Sequence, residues 1–364
     1  LSIPMLGCLN DKRKNADFRK MQRQLNAGET LDYQSVETYK TKYYREFFKQ
    51  EIHNILNNID FLKFVSKNKE WLVPYAAFSY LRDKYNTANF SDWGEYAVYN
   101  REKIELFCQP ENEAYEEFSY QFFIQYTLHQ QFEKIAAYAR KNRVILKGDI
   151  PIGINRESVE AWIEPHYFNM QEQTGAPPDD FSDTGQNWSF PTYNWEVMER
   201  DGFAWWIKRF RKMNLYFDSF RIDHILGFFR ILEIPLSSVL GLLWYFSPAL
   251  PLSVDEIRSS GISFDEYRMT KPFIHEAFLK EVFGEYVQEV IDKYLRPIAW
   301  QLFELNDNCD TQVKIKALFA GDNDVKSAKL RDGLYGLCNE VLFIKDKRNP
   351  DKYHPRITAQ YSYS

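Results

Sequence analysis

Through residues 30–58, TLDYQSVETYKTKYYREFFKQEIHNILNN, apolar positions recur at helical spacing between charges, and WLVPYAAFSYLRDKY (71–85) reads as a second helix. A longer helix covers FSYQFFIQYTLHQQFEKIAAYARKN, with Phe118, Phe122, Leu128, Phe132, Ile135 and Tyr138 on its apolar positions and Lys141 and Asn142 at its C-terminal end. The pattern then changes. RVILKGDIPIG (143–153) is a short β-branched run, and after the helical GFAWWIKRFRKM (202–213) comes LYFDSFRIDHI, a second strand ending in Arg-Ile-Asp-His. Helix, tight turn and strand, with a polar residue at the strand's C-terminal end, occurs twice. That predicts an α/β fold in which 143–149 and 215–223 are parallel neighbours. In (β/α)8 barrels the chemistry sits at the C-terminal ends of strands, where Asp149 and Asp223 stand.

Between these units lies a stretch, 154–201, rich in Pro, Asn, Asp and Trp, and a connection of that length is usually functional. Beyond Pro235 the pattern weakens. Residues 253–330 read as mainly helical, including the charged run IHEAFLKEVFGEYVQEVIDKYL, and KDKRNPDKYHPRITAQYSYS (345–364) shows no closing helix. The expected organisation is a helical subdomain over 1–142, a catalytic segment over 143–242, and a mainly helical, insertion-like subdomain over 243–364. His53, His129 and His275 fall on helical patterns and read as structural.

Composition narrows the function classes. Lys plus Arg number 46 against 51 acids, for a net charge of −5, so nothing points to nucleic acid or an anionic membrane. The longest uncharged run, LSSVLGLLWYFSPALPL, is broken by Ser, Gly and two prolines and is no membrane span. The 4 cysteines are far apart without CxxC spacing, which argues against a zinc cluster or disulfide framework and fits a reducing, cytoplasmic compartment. No metal or other cofactor is expected. The chain has 24 Tyr, 29 Phe and 9 Trp; most belong to a core, although flat rings also suit the C–H faces of sugars.

The stretch FDSFRIDHILGFFRILEIP (217–235) reads as a buried strand running into an aromatic loop, yet it places Arg221, Asp223 and His224 within four residues. A charge in an apolar setting persists only when it is paired or used. Arg221 and Asp223 share one strand face, where a guanidinium would keep the carboxylate ionised and oriented, as a nucleophile in glycosyl transfer requires. The same Arg-x-Asp spacing also serves a plain structural ion pair. In the loop, TGAPPDDFSDTGQNWSFPTYNW combines stiffening prolines with the acceptors Asp179 and Asp180, the amide of Gln186 and the ring of Trp188. That mix suits a carbohydrate site, and equally an ordinary packed loop.

Three stretches, VILKGDIPIGINRESVEAWIEPHYF, the TGAPPDDFSDTGQNWSFPTYNW loop and FRIDHILGFFRILEIP, resemble in order and spacing the 4-α-glucanotransferases. These are the amylomaltases or disproportionating enzymes of glycoside hydrolase family 77, and the likeness is greatest to the branch of plant cytosol and some bacteria. The resemblance implies an α-amylase-type (β/α)8 barrel with helical insertions, incomplete in this chain, and a retaining double displacement on α-1,4-glucans and maltooligosaccharides. By the same resemblance Asp223 matches the nucleophile. Arg221 and His224 match groups that orient it and contact the sugar, and Asp149 matches an acid binding that sugar. Asp179, Gln186 and Trp188 match the loop on the acceptor side. Asp180 stands where many relatives have an aromatic residue. The family's acid/base Glu and a third carboxylate have no matching motif in 1–364 and are expected beyond Ser364, so the chain reads as an internal segment, inactive by itself. The alternatives are an α-glucan hydrolase of the same clan and a non-catalytic glucan-binding segment.

Overall fold

The computed structural model describes residues 1–356; the end of the tail, 357–364, lies outside the described residues. The chain forms two compact units and passes between them several times. One unit comprises 1–150, 157–165 and 196–222, and the other 151–156, 166–195 and 223–364.

The first unit is helical. Its main helices are Lys12–Leu25, Tyr33–Leu56, Ile59–Tyr85, Tyr115–Lys141 and Ala204–Met213. Asp32 caps the second through the Ser35 N–H, and Asn58 caps the third through the N–H groups of Asp60 and Phe61. That third helix starts well before residue 71, running through Pro74 and stopping at a left-handed Asn86. The 12–25 helix is an addition to the elements read from the sequence. The core of this unit is largely aromatic: Phe78, Trp93 and Trp162 meet with ring centroids 5.0–5.9 Å apart, and Phe48, Phe61 and Phe118 are buried beside them. Most of the aromatic richness is thus core in this unit.

The expected parallel pair is present but shorter: Lys147–Ile150 runs alongside Ser219–Ile222, with Asp149 opposite Arg221. Residues 143–146 are a turn and coil leaving the long helix, with Arg143 at a positive φ, and Val144 and Ile145 are exposed. The Gly148 position lacks room for a Cβ, which would lie 2.8 Å from Phe217, so the preceding loop can press its ring onto the strand. One expectation is corrected here. The strand of the RIDH motif is not buried: Arg221 and Ile222 are exposed, and the buried strand is the later Ile231–Pro235. The buried apolar run of that stretch, ILEI, belongs to this second segment.

The second unit is built from short strands brought together from distant parts of the chain. Glu172–Gln173, Ile231–Pro235 and Tyr245–Ser247 form one antiparallel sheet. Ile274–His275, Leu302–Leu305 and Leu295–Ala299 form another, and Leu252–Ser253, Lys352–Pro355 and Phe343–Lys345 a third. The helices Glu276–Phe283, Val287–Tyr294, Gln312–Leu318 and Val325–Cys338 accompany them. In the region read as mainly helical, helices predominate with short strands between them, and the charged run is split at Gly284, whose φ of 57° ends the first helix. His275 sits at a strand end, where its Nδ1 accepts the Ala277 N–H and caps the next helix, rather than on a helical face. Among the described residues, no helix is long and apolar enough to cross a membrane.

Candidate active site

In the second unit a cavity of about 510 Å³ is walled by the 151–156 segment, by Trp188, Ser189 and Phe190, and by Asp223 and His224. Its shape follows from local backbone chemistry. Gly153 has no Cβ, and one placed there would lie 2.2 Å from the Phe190 ring, so only glycine lets that ring lie against the loop. Gly227 does the same for Ile152, whose Cδ1 would be 2.3 Å from an added Cβ. Two wall residues, His224 and Ser189, hold left-handed φ values of 51° and 64° without being glycine. Such conformations cost about 1–3 kcal/mol and persist where the surroundings fix them. His224 turns the chain sharply as soon as the strand ends: its carbonyl accepts the Gly227 N–H at 2.8 Å.

The Trp188 ring lies 4.7 Å from the His224 ring and 5.9 Å from Phe190, nearly parallel to the latter. Its indole N–H donates to Gln186 Oε1 at 3.0 Å, which fixes the ring's orientation. Three residues singled out in the sequence, Asp223, His224 and Trp188, therefore line one cavity, with Gln186 behind the third. Asp179 is used differently. Its Oδ1 accepts the N–H groups of Phe181 and Ser182, building the turn of its own loop, and it does not line the cavity. Among the described residues, Asp223 is the one carboxylate in the lining.

Arg221 and Asp149 meet in the first unit. The guanidinium grips the carboxylate across the strand pair through two bonds, Nε to Oδ1 at 2.9 Å and Nη2 to Oδ2 at 2.8 Å. This two-point bond runs to the neighbouring strand, a partner that the reading of Arg221 along its own strand did not include. Register explains it: Asp149 stands opposite Arg221, and both side chains are more than half exposed. Behind them Asp218 accepts from Arg140 and from the Leu146 N–H, which hold its carboxyl below the usual range and tie the long helix to the strand pair.

Arg156 was not singled out from the sequence. Its guanidinium donates to the carbonyls of Met170 and Glu172, joining the cavity wall to the strand Glu172–Gln173. An arginine six residues after a strand end, in the run GINR, was the available signal.

The family model of the 4-alpha-glucanotransferases, glycoside hydrolase family 77, matches residues 3–322. The chain belongs to this family. It is 39% identical over 335 residues to the 4-alpha-glucanotransferase DPE2 of rice, covering 91% of this chain and 35% of that enzyme. The 4-alpha-glucanotransferase of Chlamydia caviae is 33% identical over 218 residues, 60% of this chain and 40% of the relative. The chain thus spans well under half the length of these relatives. Among solved structures, an amylomaltase from Streptococcus agalactiae in complex with acarbose is similar in fold, with a TM-score of 0.55 at 22% identity over 76% of this chain and 61% of that one. The mixed helix-and-strand fold is that of amylomaltases.

Proposed function

We infer that this chain carries the nucleophile part of a 4-α-glucanotransferase that moves α-1,4-glucan segments between maltooligosaccharides with retention. The observation that carries the reading is that Asp223, in the family's RIDH motif, is the carboxylate of a cavity walled by Trp188, Phe190 and His224. In the first step a carboxylate oxygen of Asp223 attacks the anomeric carbon, and the glycosidic C–O bond breaks. The leaving oxygen takes a proton from an acid/base carboxyl. In the second step the acceptor's 4-hydroxyl returns that proton to the same group and displaces Asp223. Retaining chemistry needs the two carboxyl groups about 5–5.5 Å apart, and the second one is to be sought outside the lining described above.

In this reading Trp188 and Phe190 give the sugar an apolar platform, and His224 contributes a ring nitrogen for a sugar hydroxyl. Arg221 and Asp149, locked together, form the polar surface at the strand ends, and the two strands are two staves of a (β/α)8 barrel. Asp179 acts by shaping its loop. The compartment that fits is the cytoplasm.

The test uses α-maltotriosyl fluoride, whose leaving group needs no protonation, so that the nucleophile is assayed without the acid. The chain should release fluoride in a burst of about one equivalent, because the first step with this leaving group needs no proton donor, whereas attack by an acceptor needs the base. Asp223→Asn should lower that rate on the order of 10³-fold or more, the scale of losing a nucleophile. Fluoride release by the Asn variant at the wild-type rate would overturn the reading.

A further inference from the structure

The hairpin formed by Phe343–Lys345 and Lys352–Pro355 lies more than a hundred residues beyond the cavity residues in the chain, yet it touches the strand that backs the cavity wall. Its turn is unusually well fixed. Asp346 is buried; its Oδ1 accepts the N–H groups of Arg348 and Asn349, and its Oδ2 meets His354 Nε2 at 2.8 Å. The His354 ring stacks on Tyr245 at 4.3 Å and within 5° of parallel. Tyr245 belongs to the edge strand of the same sheet that contains Glu172. This clamp presents Lys347 to Glu172, whose Oε1 accepts from the lysine ammonium.

Glu172 is 6% exposed, and its other oxygen, Oε2, has no hydrogen-bond partner among the described residues. A carboxylate in that setting is costly unless a cation holds it. Three charged groups face it: Lys347 from the hairpin, Arg156 from the cavity wall and Glu233 from the adjacent strand. Arg156 in turn donates to the Glu172 carbonyl, so the same residue receives the hairpin through its side chain and the cavity wall through its backbone.

We propose that Lys347 and Glu172 are positioning residues for the cavity: the hairpin, through Lys347, Glu172 and Arg156 in series, holds the 151–156 wall in its binding geometry. The consequence for ligand affinity rests on the reading of the cavity as a glucan site. The mechanical claim does not. Burial raises the Glu172 carboxyl above its usual range, chiefly by desolvation and against the pull of Lys347.

The experiment is hydrogen–deuterium exchange on the whole chain, followed by mass spectrometry, for wild type, Lys347→Met, Lys347→Arg and Glu172→Gln. Lys347→Met should raise exchange in peptides covering 151–156 about tenfold or more, while peptides of the Leu295–Ala299 and Leu302–Leu305 strands keep their wild-type rates. Lys347→Arg should restore protection. Should the hairpin peptides loosen while 151–156 stays at wild-type rates, the series connection is wrong. If Lys347→Met does not fold, Glu172→Gln decides the matter, because it removes the charge that burial penalises; wild-type protection at 151–156 in that variant refutes the proposal. Titration with maltoheptaose adds the functional arm. Lys347→Met and Arg156→Ala should weaken binding by factors whose product exceeds the loss in the double variant. Independent, multiplicative losses would contradict coupling. A wild-type chain that binds no maltoheptaose would sink the glucan-site reading and leave the exchange test standing.

Discussion

In the helical unit the buried side chains are rings and aliphatics, and its few buried polar groups, such as Ser79 and Gln131, are neutral. In the other unit Glu172, Glu233, Asp346 and His354 are all buried, with Gln173, Thr174, Thr192 and Gln312 among them. The carboxyl and imidazole groups buried among the described residues all belong to this second unit. The helices satisfy their own backbone, so their packing needs only apolar faces. Strands two to five residues long leave many donors and acceptors, and buried side chains fill some of them: Gln173 donates to the Pro235 carbonyl and Thr174 Oγ1 to that of Leu232, both in the strand Ile231–Pro235. The second unit has an apolar core as well, around Leu279, Phe283, Leu334 and Leu337; what sets it apart is that it also buries carboxyl groups and an imidazole, and the candidate active site is built on this unit.

The largest effect that sharpens this contrast should come from the aromatic core. Trp93 is fully buried against Phe78 and Trp162, and its indole N–H donates to the Thr87 carbonyl. Trp93→Ala should cost about 3–5 kcal/mol in urea unfolding, with no particular pH dependence. Next, Asp346→Ala should cost about 1.5–3 kcal/mol, the range for hydrogen bonds to a charged group. Burial pushes the Asp346 carboxyl up, but His354 and Asn349 outweigh it and hold the group below its ordinary 3.8. Its contribution is therefore present above the unfolded value and fades as pH falls through the lower folded one. Wild-type and variant unfolding curves should converge only in that acid range; convergence near neutrality would show that the pair carries no such energy.

Glu172→Gln should act in the opposite sense. With a folded carboxyl raised above its ordinary 4.5, ionisation works against the fold. Stability in the wild type should thus decline as pH rises from about the unfolded value through the folded one, and the Gln variant should lack that decline. Its melting temperature at pH 7 should match or exceed the wild type, and a clear loss would mean that Lys347 more than compensates burial. The smallest effect is expected at Ser189. Ser189→Gly relieves a left-handed φ but adds freedom to the unfolded chain, so the two should cancel to within about 1 kcal/mol.

The same contrast explains what could be read from the sequence. The long helices and the parallel pairing of the GDI and RID strands were legible because periodicity and strand-end polarity are local signals. Asp223, His224 and Trp188 were legible because their motifs are contiguous, and the cavity brings them together. The exposure of the RIDH strand was not, since apolar residues nearby serve a different strand. Arg221's grip on Asp149 depends on a register between segments about seventy residues apart. The three-stranded sheets and the path from Lys347 to Arg156 join segments up to 191 positions apart, with two-residue strands that leave no period to detect.

The central claim is that Asp223 forms the covalent glucosyl intermediate, and trapping it tests this most directly. Incubation with 5-fluoro-α-D-glucosyl fluoride, digestion and mass spectrometry should find one hexosyl adduct on the peptide containing Asp223 and none in Asp223→Asn. An adduct carried by another carboxylate, or one that persists in the Asn variant, would contradict the account.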